Sequence, residues 1–596
     1  MKRREFLKAG TGALAARLAI GKVFAEKPQP PPQPMVRTVY VVALCHLDLG
    51  FTDFEYAVIR KYFEDYIPTA IDTAKKLQQE QSDERYVWTL SSWMVYEYLE
   101  QASPENRKNM EQALSGGQIA WHAMPFTWES ELLDRSLMET SFGLSSTLDQ
   151  RFGVKTIAGK LTDVPGHTRG LISPSVEADI EFIDIGPNVH IPDVPPAPHL
   201  FNWRNPEGQQ VTVLYHEAYG GTTVIPGTDI AVAINVRGDN KGPHLISEIQ
   251  AYYADLHREF PNATIVATNL NTVAKAVRPI RDHIPLVTEE IGDTWIYCVG
   301  SDPVKMARYR ELSRLRLEWL SKGALKQGGP VDLAFSSKLI LAAEHNGGLH
   351  TGRNRTPGAL LDYPHVFAPD ELADARANNP VFQKYDLCWA EKRADLDKAV
   401  EDSLPQPLRV EAQQRLRSLM PAAPEINHLN RHADGKDIKT AHFILSLDPK
   451  TGAIHRLLDR KTGREWATVA HPLALFRYQT FDSADCKRYV HQYAADVPSL
   501  DKIWGKPGVE NYAVESRVWE PTVSTAHFEE DHDAHRIISE LQILDVNPKL
   551  AKLVSWPNKL MLEILLPKAR PEIQVTLWCL DKRANRLPEA MWFSFS

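Results

Sequence analysis

Val41-Val42-Ala43-Leu44-Cys45-His46-Leu47-Asp48-Leu49-Gly50-Phe51 is the stretch that decides how this chain is read. Its first five residues form a short apolar run suited to a fully buried strand, and a histidine and a carboxylate follow where that strand must end. Residues at i and i+2 share one side of an extended chain, so His46 and Asp48 aim an imidazole nitrogen and a carboxylate oxygen at one point. That is half of a metal site. Far downstream, Leu161-Thr162-Asp163-Val164-Pro165-Gly166-His167 repeats the logic, an acid at a strand end before a Pro-Gly turn.

Working outward, apolar runs of strand length alternate with helical stretches from Val36 to about Leu320, the pattern of βα units around a parallel sheet. The expected strands are 38–44, 86–90, 118–121, 156–161, 182–185, 211–215 and 264–267. Between the first two, Asp53 to Glu80 has apolar positions at near-helical spacing. In such sheets functional groups gather at the carboxyl ends of strands, where His46, Asp48 and Asp163 all fall. Arg308 to Lys326 and Pro369 to Met420 read as long helices, and from Ala441 onward short alternating strands separated by turns read as a β-sandwich. The last residues, Ala590 to Ser596, look like the middle of a strand, which leaves open a β-domain that continues.

A chain of 596 residues exceeds the roughly 250 to 300 at which single cores stop growing, so several domains are expected. A formal net charge of -8, with basic residues spread along the chain, disfavours a nucleic-acid partner. The five cysteines are far apart and odd in number, so neither a disulfide framework nor a thiolate metal site is indicated. Any metal must be held by nitrogen and oxygen. Met1-Lys2-Arg3-Arg4-Glu5-Phe6-Leu7-Lys8, a weakly apolar stretch to Ile20 and Val23-Phe24-Ala25 together read as a Tat-type export signal over residues 1–25. A periplasmic or secreted protein follows, with no stable membrane insertion, because the apolar stretch falls short of the roughly 20 residues that span a bilayer. Residues 26–35 hold a proline-rich linker, with five prolines between Pro28 and Pro34.

These motifs carry a resemblance. The chain resembles glycoside hydrolase family 38, the retaining α-mannosidases, whose chains carry His-x-Asp-x-Gly-Trp and later Asp-Pro-Phe-Gly-His. Here the motifs stand as His46-Leu47-Asp48-Leu49-Gly50-Phe51 and Asp163-Val164-Pro165-Gly166-His167. Looser likeness continues through Trp203-Arg204-Asn205-Pro206-Glu207-Gly208, Gly300 to Lys305, Glu344-His345-Asn346-Gly347-Gly348 and Phe443 to Ile454, in the family's order. The branch is a divergent one. The resemblance implies a (β/α)7 barrel over residues 36–320, a helical bundle over 321–425 and a β-sandwich over 426–596. It also implies zinc held by His46, Asp48, Asp163 and His345, with Asp163 doubling as the nucleophile of a retaining exo-α-glycosidase that acts on a carbohydrate outside the cytoplasm. Glu344 and Asn346 stand where the family has His and Asp.

The general acid is not resolved by the motifs. Glu290 and Asp293, in Thr288-Glu289-Glu290-Ile291-Gly292-Asp293-Thr294-Trp295, are both candidates, since a carboxyl held beside Trp295 would be a good proton donor. Trp128, Arg169, His216, Tyr219 and Trp295 are candidate sugar contacts, with Glu129, Glu131, His167 and His350 as further candidates for the pocket wall. Two other readings keep the fold and change the chemistry: a metal-dependent polysaccharide lyase or related carbohydrate-active enzyme, and a sugar-binding protein without turnover.

Overall fold

A computed structural model describes residues 34–80, 83–190, 199–350, 363–431, 436–544 and 548–595. The export signal, and the proline-rich linker save its last two residues, lie outside the described residues. Eleven strands build the first region: β1 Thr38–Cys45, β2 Trp88–Ser91, β3 Ile119–His122, β4 Ala158–Asp163, β5 Phe182–Pro187, β6 Leu200–Arg204, β7 Gln210–Tyr215, β8 Gly221–Val224, β9 Ile230–Arg237, β10 Thr264–Ala267 and β11 Leu286–Val287. They form two sheets, β3-β2-β1-β9-β8 with β10 beside β1, and β11-β6-β7-β5-β4. The sheets adjoin where Ala123 N–H donates to Ala158 O at 2.9 Å.

Seven strands therefore run parallel in the order β9-β1-β2-β3-β4-β5-β7. Among the described residues no ladder pairs β7 with β9, so the layer is not a hydrogen-bonded closed ring. β9 occupies one full side of β1 from Thr38 to Cys45, whereas β10, one of the seven expected strands, covers the first half of the other side and leaves the rest to β2. β1 is central because its apolar run packs on both faces: Val39 and Val41 sit in one apolar cluster, Val42 and Leu44 in another.

The helices Pro303–Ser321, Pro330–Leu339, Pro380–Ser403 and Gln406–Ser418 follow. They are not a separate body, for one apolar core runs from Ala43 and Trp88 through Tyr309, Leu315 and Phe335 to Leu396 and Ala412. Arg316, fully buried, bonds Asp332 of the second of these helices at 2.7 Å and reaches the helix Arg135–Phe152 through Ser136 at 3.0 Å. The remaining strands form two antiparallel sheets of five and seven strands, which share a second core around Leu445, Phe476, Ile537 and Leu562. A helical excursion in this region, Ser483–Tyr493 and Val497–Leu500, reaches back to the first region and packs Val490 and Leu500 on Val164 and Trp295. Among the described residues no helix is long and apolar enough to cross a membrane.

Candidate functional site

His46 and Asp48 lie just past the carboxyl end of β1, Asp163 ends β4, Asn188 follows β5 and Asp239 follows β9. Parallel strands deliver all of these to one edge of the layer. His345 arrives from far along the chain: its N–H donates to Thr127 O at 3.1 Å, and Trp128 pairs with Glu344 in an isolated antiparallel bridge.

The donor atoms of His46, Asp48 and His345 lie within 4.8 Å of one another. Asp48 Oδ1 is 3.2 Å from His46 Nε2 and 3.3 Å from His345 Nε2, and Asp163 Oδ2 is 3.6 Å from His345 Nε2. Asp163 stands outside the tight three-residue group but beside it. The far sides of both imidazoles are engaged: Thr162 Oγ1 lies 2.6 Å from His46 Nδ1, and Glu344 Oε1 lies 2.8 Å from His345 Nδ1. Glu344 is in turn held by the buried Lys392, which also bonds Glu55 at 2.7 Å and the carbonyl of Leu49. Such partners fix ring orientation and leave Nε2 pointing at the shared centre.

At that centre, His46 Nε2, His345 Nε2 and Asp48 Oδ2 are buried without a hydrogen-bond partner. Buried polar groups are ordinarily paired, so three orphans on residues this close together mark a place for something that accepts nitrogen and oxygen donors. The residues fit a divalent cation. Burial alone would raise the Asp48 carboxyl, but the adjacent His46 and His345 outweigh it and hold it well below the usual carboxylate range. Burial alone would also lower His345, yet Glu344, Asp163 and Asp48 hold it well above the usual histidine range.

Asp163 adopts φ +74°, a left-handed conformation that costs a non-glycine residue about 1–3 kcal/mol. Its Oδ1 accepts from Asn188 Nδ2 at 2.8 Å and from Tyr219 OH at 2.6 Å. The same Tyr219 hydroxyl reaches Asp239 Oδ1 at 3.3 Å, so one group touches both carboxylates and keeps them within about 6 Å of each other. Tyr219 can stand there because Gly186 lacks a side chain: a Cβ at that position would come 2.2 Å from Tyr219 O. Asn240 completes the frame, accepting from Asp48 N–H at 3.0 Å and donating to Asp48 O at 2.9 Å.

A cleft of about 720 Å³ opens over these groups, lined by Asp48, Asp163, Asn188, Tyr219, Asp239, Trp295, His345 and His350. Leu500, Ile503 and Trp504 of the C-terminal region form part of its wall.

Of the expected site residues, His46, Asp48, Asp163, His345, Tyr219, Trp295 and His350 come together here. The others do not line the cleft, and each has a physical reason. Trp128 is fully buried against Phe142. His216 is buried on Asp184 at 2.8 Å, within an ion-paired group that includes Lys160. Arg169 pairs with Glu290, half exposed, at 3.3 Å and donates to Thr288 O, so the two engage each other outside the cleft lining. Asp293 is spent on Trp295 N–H at 3.0 Å and on the hydroxyl of Tyr493. Glu131 accepts from Thr294 at 2.7 Å, and His167 lies buried near Ser130. Glu129 is fully buried with neither carboxyl oxygen partnered, and burial pushes its carboxyl up to about 9. Asp239, Asn240 and Asn188 were not expected. The run Ile230-Ala231-Val232-Ala233-Ile234 carries the strand signal that leads to the first two.

A parallel-strand layer with carboxylates and histidines converging at its carboxyl edge places a ligand site where such sheets carry them, and comparison narrows the class. Residues 36–237 match the glycosyl hydrolases family 38 N-terminal domain, and residues 299–574 match a domain of unknown function, DUF5054. The family 38 match lies in the strand-rich N-terminal region, which is thereby a distant likeness of that family's N-terminal domain. An α-mannosidase from Enterococcus faecalis V583 superposes with a TM-score of 0.56 at 10% identity, over 93% of this chain and 74% of that one. A second family 38 protein from Enterococcus faecalis gives 0.54 at 10% identity, over 94% of this chain and 74% of that one. No curated protein matches the sequence.

Proposed function

We propose that the chain is a zinc-dependent retaining exo-α-glycosidase of the mannosidase type, exported through its twin-arginine leader to act on glycans outside the cytoplasm. The observation that carries the reading is the Tyr219 hydroxyl touching both Asp163 and Asp239 directly beside the three orphaned donors. Retaining glycosidases place two carboxyl groups about 5–5.5 Å apart, one as nucleophile and one as acid/base.

Zinc bound by His46, Asp48, His345 and Asp163 would supply a positive charge that orients sugar hydroxyls and offsets charge developing on the sugar. The protein's own groups do the rest. Asp163, held by Asn188 and Tyr219, attacks the anomeric carbon through a carboxylate oxygen as the glycosidic C–O bond breaks, and Asp239 gives its proton to the departing oxygen. The product is a sugar ester of Asp163. Asp239, now ionised, takes a proton from water, whose oxygen attacks the anomeric carbon and returns Asp163 as the carboxylate. Two displacements preserve the anomeric configuration. Trp504, Leu500 and Ile503 close one side of the cleft, which suits a terminal sugar.

The test is a slow-reacting fluorinated α-mannoside followed by mass mapping. The expected result is a sugar esterified to the peptide containing Asp163. Label on another carboxylate, an inverted product or an unsaturated sugar from elimination would overturn the assignment.

A further inference from the structure

A second cleft of about 840 Å³ adjoins the first, since Gly347, Tyr385 and Trp389 line both. Its walls come from the helices Pro303–Ser321, Pro369–Asn378 and Pro380–Ser403, from the loop 584–589 and from Lys506. The charges on those walls do not balance. Asp302 is paired with Arg393 at 2.7 Å, Asp386 with Arg376 at 2.7 Å, and Glu589 with Lys582. Lys392 is committed to Glu55 and Glu344. Arg586 donates to the carbonyls of Tyr363 and Val366. Lys305 and Lys506 remain, and neither ammonium has an ion pair or hydrogen bond to a described residue.

Lys305 is only 3% exposed. A buried ammonium without a counter-charge is costly, because desolvation is not repaid by any opposite charge at contact distance. Burial first, and the neighbouring Lys392 next, push it down to about 8. An anion entering the cleft would remove that cost, and Lys506, on the more exposed side, adds a second positive charge to attract it.

We propose that this cleft binds a glycan-borne oxyanion, a uronate carboxylate or a sulfate ester, on the sugar next to the one held over Asp163. The proposal rests on the glycosidase reading and narrows its substrates to acidic glycans. Lys305 and Lys506 would take the anion while the shared wall of Tyr385 and Trp389 contacts the sugar that carries it.

Equilibrium titration of the zinc-loaded protein tests this with four probes: methyl α-D-glucuronide, the 6-sulfate of methyl α-D-glucoside, neutral methyl α-D-glucoside and inorganic sulfate. Both acidic glycosides should bind at least about tenfold tighter than the neutral one, as charge-assisted contacts allow. That advantage should shrink to within about twofold in Lys506→Gln and in Lys305→Met. Lys506 is exposed, so its variant keeps the test valid if the buried Lys305→Met fails to fold. Equal binding of acidic and neutral glycosides, or an advantage that survives both substitutions, would overturn the proposal. Binding of inorganic sulfate without preference for either acidic glycoside would overturn it as well, showing a free-anion site. Binding is read without turnover, so a wild type that shows no anion preference while Asp163 is still trapped by the fluorinated mannoside fails this inference alone.

Discussion

Lys160, Asp184 and His216 form one buried group of polar and charged side chains, and His46, Asp48 and His345 form another, both on the same layer of strands, with His345 brought to it from outside. In the first, Lys160 bonds Asp184 and donates to Tyr219 O at 2.7 Å, while His216 Nε2 meets the other Asp184 oxygen at 2.8 Å. Burial would raise the Asp184 carboxyl, but Lys160 and His216 more than offset that and hold it down. In the second group, two histidines and an aspartate with no lysine among them leave two imidazole nitrogens and a carboxylate oxygen without partners. The contrast separates structure from function: a closed network stiffens the fold, whereas an open one waits for a ligand.

The largest effect should come from the open group and the carboxylates beside it. Asp163→Asn should cut kcat by about 10⁴-fold with the fold intact by circular dichroism. Asp239→Asn should cost about 10²–10⁴-fold, with the loss smallest on substrates whose leaving group needs no proton. A uniform loss across leaving groups would remove Asp239 from the acid role.

Next in size, Asp184→Asn in the closed group should cost about 3–5 kcal/mol of stability in urea, because it strips the partner from buried Lys160 and His216. A cost under about 1 kcal/mol would break the comparison. Zinc at a hundredfold excess over its Kd should stabilise the wild type by about 2.7 kcal/mol and leave His46→Ala unchanged. Stoichiometric zinc retained by His46→Ala would show the wrong donors.

The gentlest probe is Glu129, a further buried group without partners, whose carboxyl burial pushes up to about 9. Its folded value lies above its unfolded one, so its contribution is full below the unfolded value and fades as pH rises toward the folded one. Glu129→Gln removes that dependence. In metal-free protein the variant should therefore gain on the wild type by up to about 1.4 kcal/mol per pH unit between pH 5 and 8. Parallel stability curves would mean that Glu129 ionises freely.

Much of the site was legible because it is local. His46 and Asp48 are two residues apart at the end of an apolar run, and Asp163 precedes a Pro-Gly turn whose Gly166 packs so closely on Ile291 that a Cβ would come 2.0 Å from its carbonyl oxygen. The seven expected strands all form, and the stretch from Asp53 to Glu80 is helical over Glu55–Lys61 and Ile67–Gln79, with a π turn between. Asp239 was hidden behind a strand, β9, left out of the expected set. His216 and Trp128 looked like sugar contacts because polar and aromatic residues near strand ends do line such clefts; here His216 meets Asp184 and Trp128 meets Phe142 first.

The sequence by itself determined the order of strands and helices, the donor types and their delivery to strand ends, because hydrophobic periodicity acts over a few residues. It could not determine which donors stay unsatisfied. That depends on partners brought from far away, such as Lys392 reaching Glu55 across 337 positions, or Tyr219 reaching Asp163 across 56. Tertiary structure alone decided that Asp239 faces Asp163, that Trp504 walls the cleft and that Lys305 is buried without a counter-charge at contact distance. A buried group's chemistry is set by whichever atoms lie within about 3 Å, and those are fixed only when the chain closes on itself.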